Sequence, residues 1–216
     1  TMYNGRLILT TQVVAELKKY YADKLSSVRP LPKTLYPLSV GVKERIGILC
    51  LSDWHFGMQV NLSYNYYDVQ TCVDRLIKLK QEVISKGKEL KFSKLIIVNL
   101  SDLISGRIKK QHQIQNQYNV AEQINGVIDM LTCLITDLSE YFEIDYYDCL
   151  DNHSRIEPNK KDSIDSESYC LIISGALERY FKNHPRVNIL YNKDDDIINF
   201  NVFDYEVAAV HGHDDK

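Results

Sequence analysis

The run Leu95-Ile96-Ile97-Val98-Asn99-Leu100 is apolar at consecutive positions, so both faces of the strand it forms must be buried. Continuous β-branched runs of this kind belong to parallel strands covered on both sides. Parallel strands need long crossovers, usually helices. The sequence supplies them. A second apolar run, Ile46-Gly47-Ile48-Leu49-Cys50-Leu51, precedes it, and the apolar positions Val69, Cys72, Val73, Leu76, Leu79 and Val83 between the two recur at helical spacing. Gly87 falls where a helix C-cap is expected. Helical rhythm returns over 117–142, a third strand is expected over 144–150, and a third helix over 167–181. Shorter strands follow at 187–191, 197–203 and 206–210, the last two joined by a tight turn at Asp204-Tyr205. The order predicts a layered α/β domain.

Each long strand stops at polar residues. The ends are Asp53-Trp54-His55, Ser101-Asp102, Asn152-His153 and His211-Gly212-His213. In open α/β sheets ligands bind beyond the carboxyl ends of the strands. In an extended backbone, Asp53 and His55 project from one face. Carboxylates, an amide and imidazoles converging there would make a nitrogen and oxygen donor set for divalent cations, suited to Mn, Zn or Fe more than Ca.

Those four ends, in that order, resemble the calcineurin-like metallophosphoesterases. Their pattern runs Asp-x-His, Gly-Asp, Gly-Asn-His-Glu/Asp, a His, and a last Gly-His-x-His. The resemblance covers about residues 45–216, and the wording around Asp102 and Asn152-His153-Ser154-Arg155 is similar to a phage-type, DNA-repair-exonuclease-like branch. It implies an α/β fold with a layered β-sandwich flanked by helices, and two divalent metal ions, Mn first. Asp53 and His55 would hold the first metal, Asp102 would bridge both, and Asn152 and His211 would hold the second. His153 would touch the phosphoryl oxygen or protonate the leaving group. Two divalent ions bring four positive charges and the two aspartates return two, and the surplus attracts a phosphoester.

The pattern is broken in places. Ser101 and Asp151 stand where glycines are usual, and Ser154 where an acid is usual. No Gly-His-x-His follows His211 before Lys216. Either the last motif lies beyond Lys216, the favoured reading, or Gly212-His213-Asp214-Asp215 is its degenerate form. On the first reading the domain is truncated at its C-terminus and the fragment is expected to bind metal poorly or to be inactive. Arg155 could meet phosphate bidentately and His213 could contact it; both are equally well solvated surface residues. Arg107, Lys109 and Lys110 could track a nucleic-acid backbone or be a wet loop. Asp102 alone could be a helix N-cap, and Asn152-His153 a polar turn.

The 216 residues suffice for one sizeable domain with a short appendage. A helical signal runs through Val13, Val14, Leu17, Tyr20, Tyr21 and Leu25, and Pro30, Pro32 and Pro37 follow as a connector. Residues 1–44 are therefore divided from a metallophosphoesterase-like domain at 45–216; the helix either packs on that domain or ends an upstream one. A net charge of −3 argues against a broad nucleic-acid footprint while leaving room for a local basic groove. The five cysteines form no Cys-x-x-Cys pair and read as buried apolar residues in a reducing compartment. No apolar run approaches a membrane span and no signal peptide opens the chain, so a cytoplasmic protein without membrane contact is expected. The expected activity is hydrolysis of a phosphodiester, plausibly in DNA, as a nuclease would. The rivals are a phosphomonoesterase or nucleotide phosphodiesterase on the same scaffold, and a non-catalytic scaffold with a decayed site.

Overall fold

The computed structural model describes residues 2–3, 6–7, 45–164, 166–191 and 197–212. The expected helix near the N-terminus, the proline connector and His213 lie outside the described residues. Two short strands, β1 (Met2–Tyr3) and β2 (Arg6–Leu7), pair with each other. The rest is mixed α/β. Strands β3 (Ile46–Leu51), β6 (Lys94–Asn99), β7 (Glu143–Asp148) and β8 (Val187–Tyr191) form a parallel sheet in that spatial order. Each new strand is added on the same side of the last. Right-handed crossovers therefore place every connecting helix on one face. These are α1 (Val69–Leu90), α3 (Val120–Ser139) and α4 (Tyr169–Phe181). Against them pack Leu49, Leu51, Leu95, Ile97, Ile144 and Tyr146, all on the helix side of the sheet.

Local sequence explains the helix starts. Asp68 caps α1 by accepting from the Thr71 amide, and Asn119 and Glu122 close a reciprocal capping box on α3. Ser168 caps α4 through the Cys170 amide. Gly87 is not the C-cap of α1, which runs on to Leu90 and ends at the left-handed Lys91. It lies inside the helix because the Phe142 ring packs there; a Cβ would come within 2.3 Å of it.

The opposite face of the sheet meets a hairpin, β9 (Ile197–Val202) and β10 (Tyr205–Val210). Ile198 and Phe200 point inward onto Ile96, Val98 and Cys149, and Tyr147 stacks on Phe200 at 5.0 Å. Its turn is Phe203-Asp204, one residue earlier than expected, with Phe203 at φ +54°. That register keeps Ile198 and Phe200 on the buried side; a one-residue slip would expose both. The hairpin covers β3 at the sheet edge only in part: Ile46 packs against this cluster. Ile48 stays 48% exposed and Cys50 is exposed, contrary to its expected burial, while the other four cysteines are buried. Two elements were not expected from sequence: a small hairpin, β4 (Val60–Leu62) with β5 (Asn65–Tyr67), and the short helix α2 (Lys110–Gln115). Strands of three residues and a helix of six are too short to show a hydrophobic period. No described helix is long and apolar enough to cross a membrane.

Candidate metal centre

The strand ends converge. Beyond the last ladder pair, the segments after β3 and β6 stay zipped together: the Asp53 amide donates to the Ser101 carbonyl at 3.1 Å, His55 to Asp102 at 3.0 Å, and Phe56 to Leu103 at 2.8 Å. The backbone here is not extended. Asp53, His55, Ser101 and Asp102 have φ of 56°, 43°, 68° and 53°. Non-glycine residues in this left-handed region cost about 1–2 kcal/mol each and cluster at functional sites. Asp53 and His55 therefore meet because two left-handed residues flank Trp54, not because of strand alternation. The result is the same pairing, with His55 Nε2 3.5 Å from Asp53 Oδ1.

Asp102 stands at the centre, and its two oxygens face different partners. Oδ2 lies 4.0 Å from His55 Nε2 and 3.9 Å from His153 Nε2; Oδ1 lies 3.5 Å from His211 Nε2. His211 Nε2 is also 3.0 Å from Asn152 Oδ1. One donor set is thus Asp53, His55 and Asp102, and the other Asp102, Asn152 and His211. His153 leans over the first set, its ring 4.6 Å from that of His55. All six residues are in one cluster. Arg155 is half-buried and pairs by its backbone with Ser168; among the described residues no hydrogen bond or ion pair joins its guanidinium to the cluster.

The donors fit cations. His211 Nδ1 lies 2.7 Å from the Leu100 carbonyl and His153 Nδ1 2.9 Å from the Ser105 carbonyl. A carbonyl only accepts, so Nδ1 carries the hydrogen and Nε2 is the nitrogen turned toward the cluster, where its lone pair can serve a cation. At His211 that lone pair faces an amide oxygen and a carboxylate oxygen. A cation held between this nitrogen and the two oxygens, or a proton on Nε2, satisfies that meeting. Burial first, and then the Asp151 carboxylate, raise the Asp102 carboxyl to about 6 against the opposing pull of His153 and His211. An ion would supply the missing charge. Access is from the Asp53 side, whose side chain is 65% exposed against 7% for Asp102. A cleft of about 170 Å³ lined by Ser52, Asp53, Trp54, Tyr67 and Arg75 opens there.

Comparison with known proteins gives one relationship. The chain is 25% identical, over 218 aligned residues, to an uncharacterized SPbeta prophage-derived protein, YonJ, of Bacillus subtilis (strain 168). The alignment covers 99% of this chain and 53% of that protein, so the chain spans about half the length of the curated relative it matches. No protein family and no solved structure matches the chain.

Behind the cluster lie polar residues that sequence reading did not assign. Asp151 is buried and accepts from Ser101 Oγ at 2.5 Å, the Asp102 amide at 2.9 Å, the Ser154 amide at 2.5 Å and Ser154 Oγ at 2.9 Å. The signal was present: a hydroxyl at 101 and a carboxylate at 151 replace two glycines together. Deeper still, Asp148 accepts from Asn99 Nδ2 at 2.7 Å and from Ser174 Oγ. Burial above all, with a smaller push from Asp151, raises its carboxyl to about 7 against the downward pull of the Ser174 and Asn99 bonds. Its unfolded value is about 3.9. The folded state therefore holds a proton that the unfolded state has released, and this contribution to stability falls as pH rises from about 4 to about 7. An Asp148→Asn variant removes the loss. Its Tm relative to the parent is expected to climb over that interval and to level off above it, as scanning calorimetry at fixed ionic strength would show; a flat difference would mean that Asp148 is ionised throughout.

Proposed function

We propose that the chain is the metal-binding part of a dinuclear metal-dependent phosphoesterase of the calcineurin-like metallophosphoesterase type, acting on phosphodiesters. The observation that carries this reading is the division of donors by the two oxygens of Asp102, with the His55 and His153 nitrogens on one side and the His211 nitrogen on the other. The motif resemblance named the same residues. Mn is the favoured ion, with Zn or Fe as alternatives. Bound cations would polarise a phosphoryl oxygen and favour an incoming oxygen nucleophile.

The chain's own residues supply the rest. Asp53 and His55 hold the open side, Asn152 and His211 the enclosed side, and Asp102 fixes the separation between them. The Ser105 carbonyl fixes the His153 ring so that Nε2 faces the centre. In its protonated form that nitrogen can donate to a phosphoryl oxygen or pass a proton to the leaving group. Arg107, Lys109 and Lys110 are exposed on the segment that follows Gly106. They give a phosphate-tracking edge beside the site, which favours a nucleic-acid diester over a small monoester. Against this stands the non-catalytic scaffold, favoured by the same positions that break the motif.

The test, made on the full-length protein that carries this chain, is metal content by elemental analysis after dialysis against Mn, with turnover of a chromogenic diester, a chromogenic monoester and linear single- and double-stranded DNA. Two Mn per chain and chelator-sensitive diester cleavage are expected. Metal retention without turnover on any substrate selects the scaffold. A chain that retains no metal rejects the reading. His153→Ala is expected to keep its metal and to lose roughly 10²- to 10⁴-fold in rate, the usual contribution of a positioned acid; metal loss in that variant would reassign His153 as a ligand.

A further inference from the structure

We infer that Ser101, Asp151 and Ser154 form one positioning unit behind the metal centre, in which the buried Asp151 carboxylate fixes the turn that presents Asp102 and tightens the hold on cations there. The inference rests on the metal reading proposed above. It assigns a role to a carboxylate that is not itself a donor to the centre.

The geometry is a closed set of bonds. Ser101 and Asp102 are consecutive non-glycine residues at φ 68° and 53°. Something must hold them there, because neither has glycine's freedom. Ser101 Oγ and the Asp102 amide both donate to Asp151 Oδ2, and the Ser101 amide donates to Asn99 Oδ1 at 3.1 Å. The turn is therefore tied from the side of the β7 end, across about 50 residues of chain. Ser154 completes the anchorage. Its amide and hydroxyl both donate to Asp151, and its carbonyl accepts from the Tyr169 amide at 2.8 Å at the start of α4. Three of these donors converge on Oδ2 and one on Oδ1, so both oxygens of the carboxylate are held. Asp151 thus cannot swing toward a cation as a ligand, and Asn152 and His153, next along the chain, are presented from a rigid base.

Its charge acts as well. Asp53 and Asp102 supply two negative charges for two divalent ions, and Asp151 adds a third within the same buried region. Little solvent screens it there, so it attracts the cations more strongly than a surface carboxylate would. A ligand set tuned in this way trades some of its surplus positive charge for tighter metal retention. Partners of this kind, bonded to the ligands rather than to the metal, typically alter affinity by about 10- to 100-fold.

Calorimetric titration of Mn into the metal-stripped full-length protein tests this, with circular dichroism and thermal unfolding on the same samples. Asp151→Asn keeps the shape and removes the charge. It is expected to fold and to bind Mn roughly 10- to 100-fold more weakly. Ser101→Gly accepts φ 68° without strain and removes one donor; it is expected to keep or raise the Tm while weakening Mn binding. A mere loss of folding stability cannot produce that split. The double variant is expected to be no weaker than Asp151→Asn alone, because both changes act through one bond. Should Asp151→Asn fail to fold, Ser101→Gly decides alone. Parent-like Mn affinity in the folded variants overturns the inference. If Asp102→Ala has meanwhile lost Mn, the metal reading survives that failure; if the parent itself binds no Mn, both fall together.

Discussion

Asp102→Ala is expected to lose nearly all bound metal, with Mn affinity down by more than about 100-fold, beyond what changes at supporting residues cause, and hydrolysis abolished. Its two oxygens contact both donor sets, with His55 and His153 on one side and His211 on the other. No neighbour can replace it, because Asp151 is held by four donors and Asp53 reaches only the open side. Stability should move the other way. Burial and the Asp151 carboxylate raise Asp102 to about 6 in the folded, metal-free chain. The unfolded value is about 3.9. Between those values the folded state keeps a proton that the unfolded state has released, so the parent loses stability as pH rises from about 4 to about 6 and does not regain it above. Alanine has no such loss. The metal-free variant is therefore expected to melt higher than the metal-free parent at pH 8, and the gap to narrow below pH 6. Adding Mn should raise the Tm of the parent and leave the variant unmoved. A variant that keeps its metal and melts lower at every pH would make Asp102 a structural turn residue.

The position of the centre was legible in the sequence because buried parallel strands announce themselves as β-branched runs and end where polar residues begin. Leu95 to Leu100 is of that kind; the run before Asp53 ends in the same way, although Ile48 and Cys50 on that edge strand stay exposed. The way the ends are shaped was not legible. Four residues of the cluster's two loops sit at positive φ although none is glycine. Local sequence does not encode that conformation; it is imposed by bonds between loops far apart in the chain, such as Asp53 to Ser101 and Ser101 to Asp151. Read one motif at a time, Ser101 and Asp151 look like two lost glycines. In space they are a donor and its acceptor. Gly87 shows the same limit in the opposite sense. Its place near a helix end suggested a cap, and the reason for a missing side chain was a phenylalanine from another element. The β4–β5 hairpin and α2 escaped notice because such short elements are fixed by their surroundings rather than by a period.

Gly106→Ala is expected to be the most destabilising single methyl that can be added near the site. Gly106 has φ 65°, and a Cβ there would lie 2.0 Å from the His153 carbonyl oxygen. The left-handed conformation costs an alanine about 1–2 kcal/mol. The contact adds about 1–3 kcal/mol of overpacking, because it strikes backbone rather than the end of a flexible side chain. Retreat is blocked on the other side: the Gly106 amide donates to Gln123 Oε1 at 2.9 Å, and its carbonyl accepts from Asn116 Nδ2 at 3.2 Å. Gln123 is buried in α3, so it cannot yield cheaply. A loss of about 2–5 kcal/mol corresponds to a fall in Tm of roughly 5–15 °C for a domain of this size. The strain falls on His153, whose ring is fixed by the neighbouring Ser105 carbonyl, so the surviving folded protein should also turn over more slowly at full Mn occupancy. Gly175→Ala is the control. Its Cβ in α4 would meet the flexible end of Arg179 at 3.3 Å and the Tyr191 hydroxyl at an ordinary 3.7 Å, and alanine's helix preference is worth up to about 1 kcal/mol there. Thermal melts of the two variants should therefore shift apart, Gly106→Ala well down and Gly175→Ala level or slightly up. Equal Tm values would mean that the segment after Asp102 is free to move, and that His153 is not held by it.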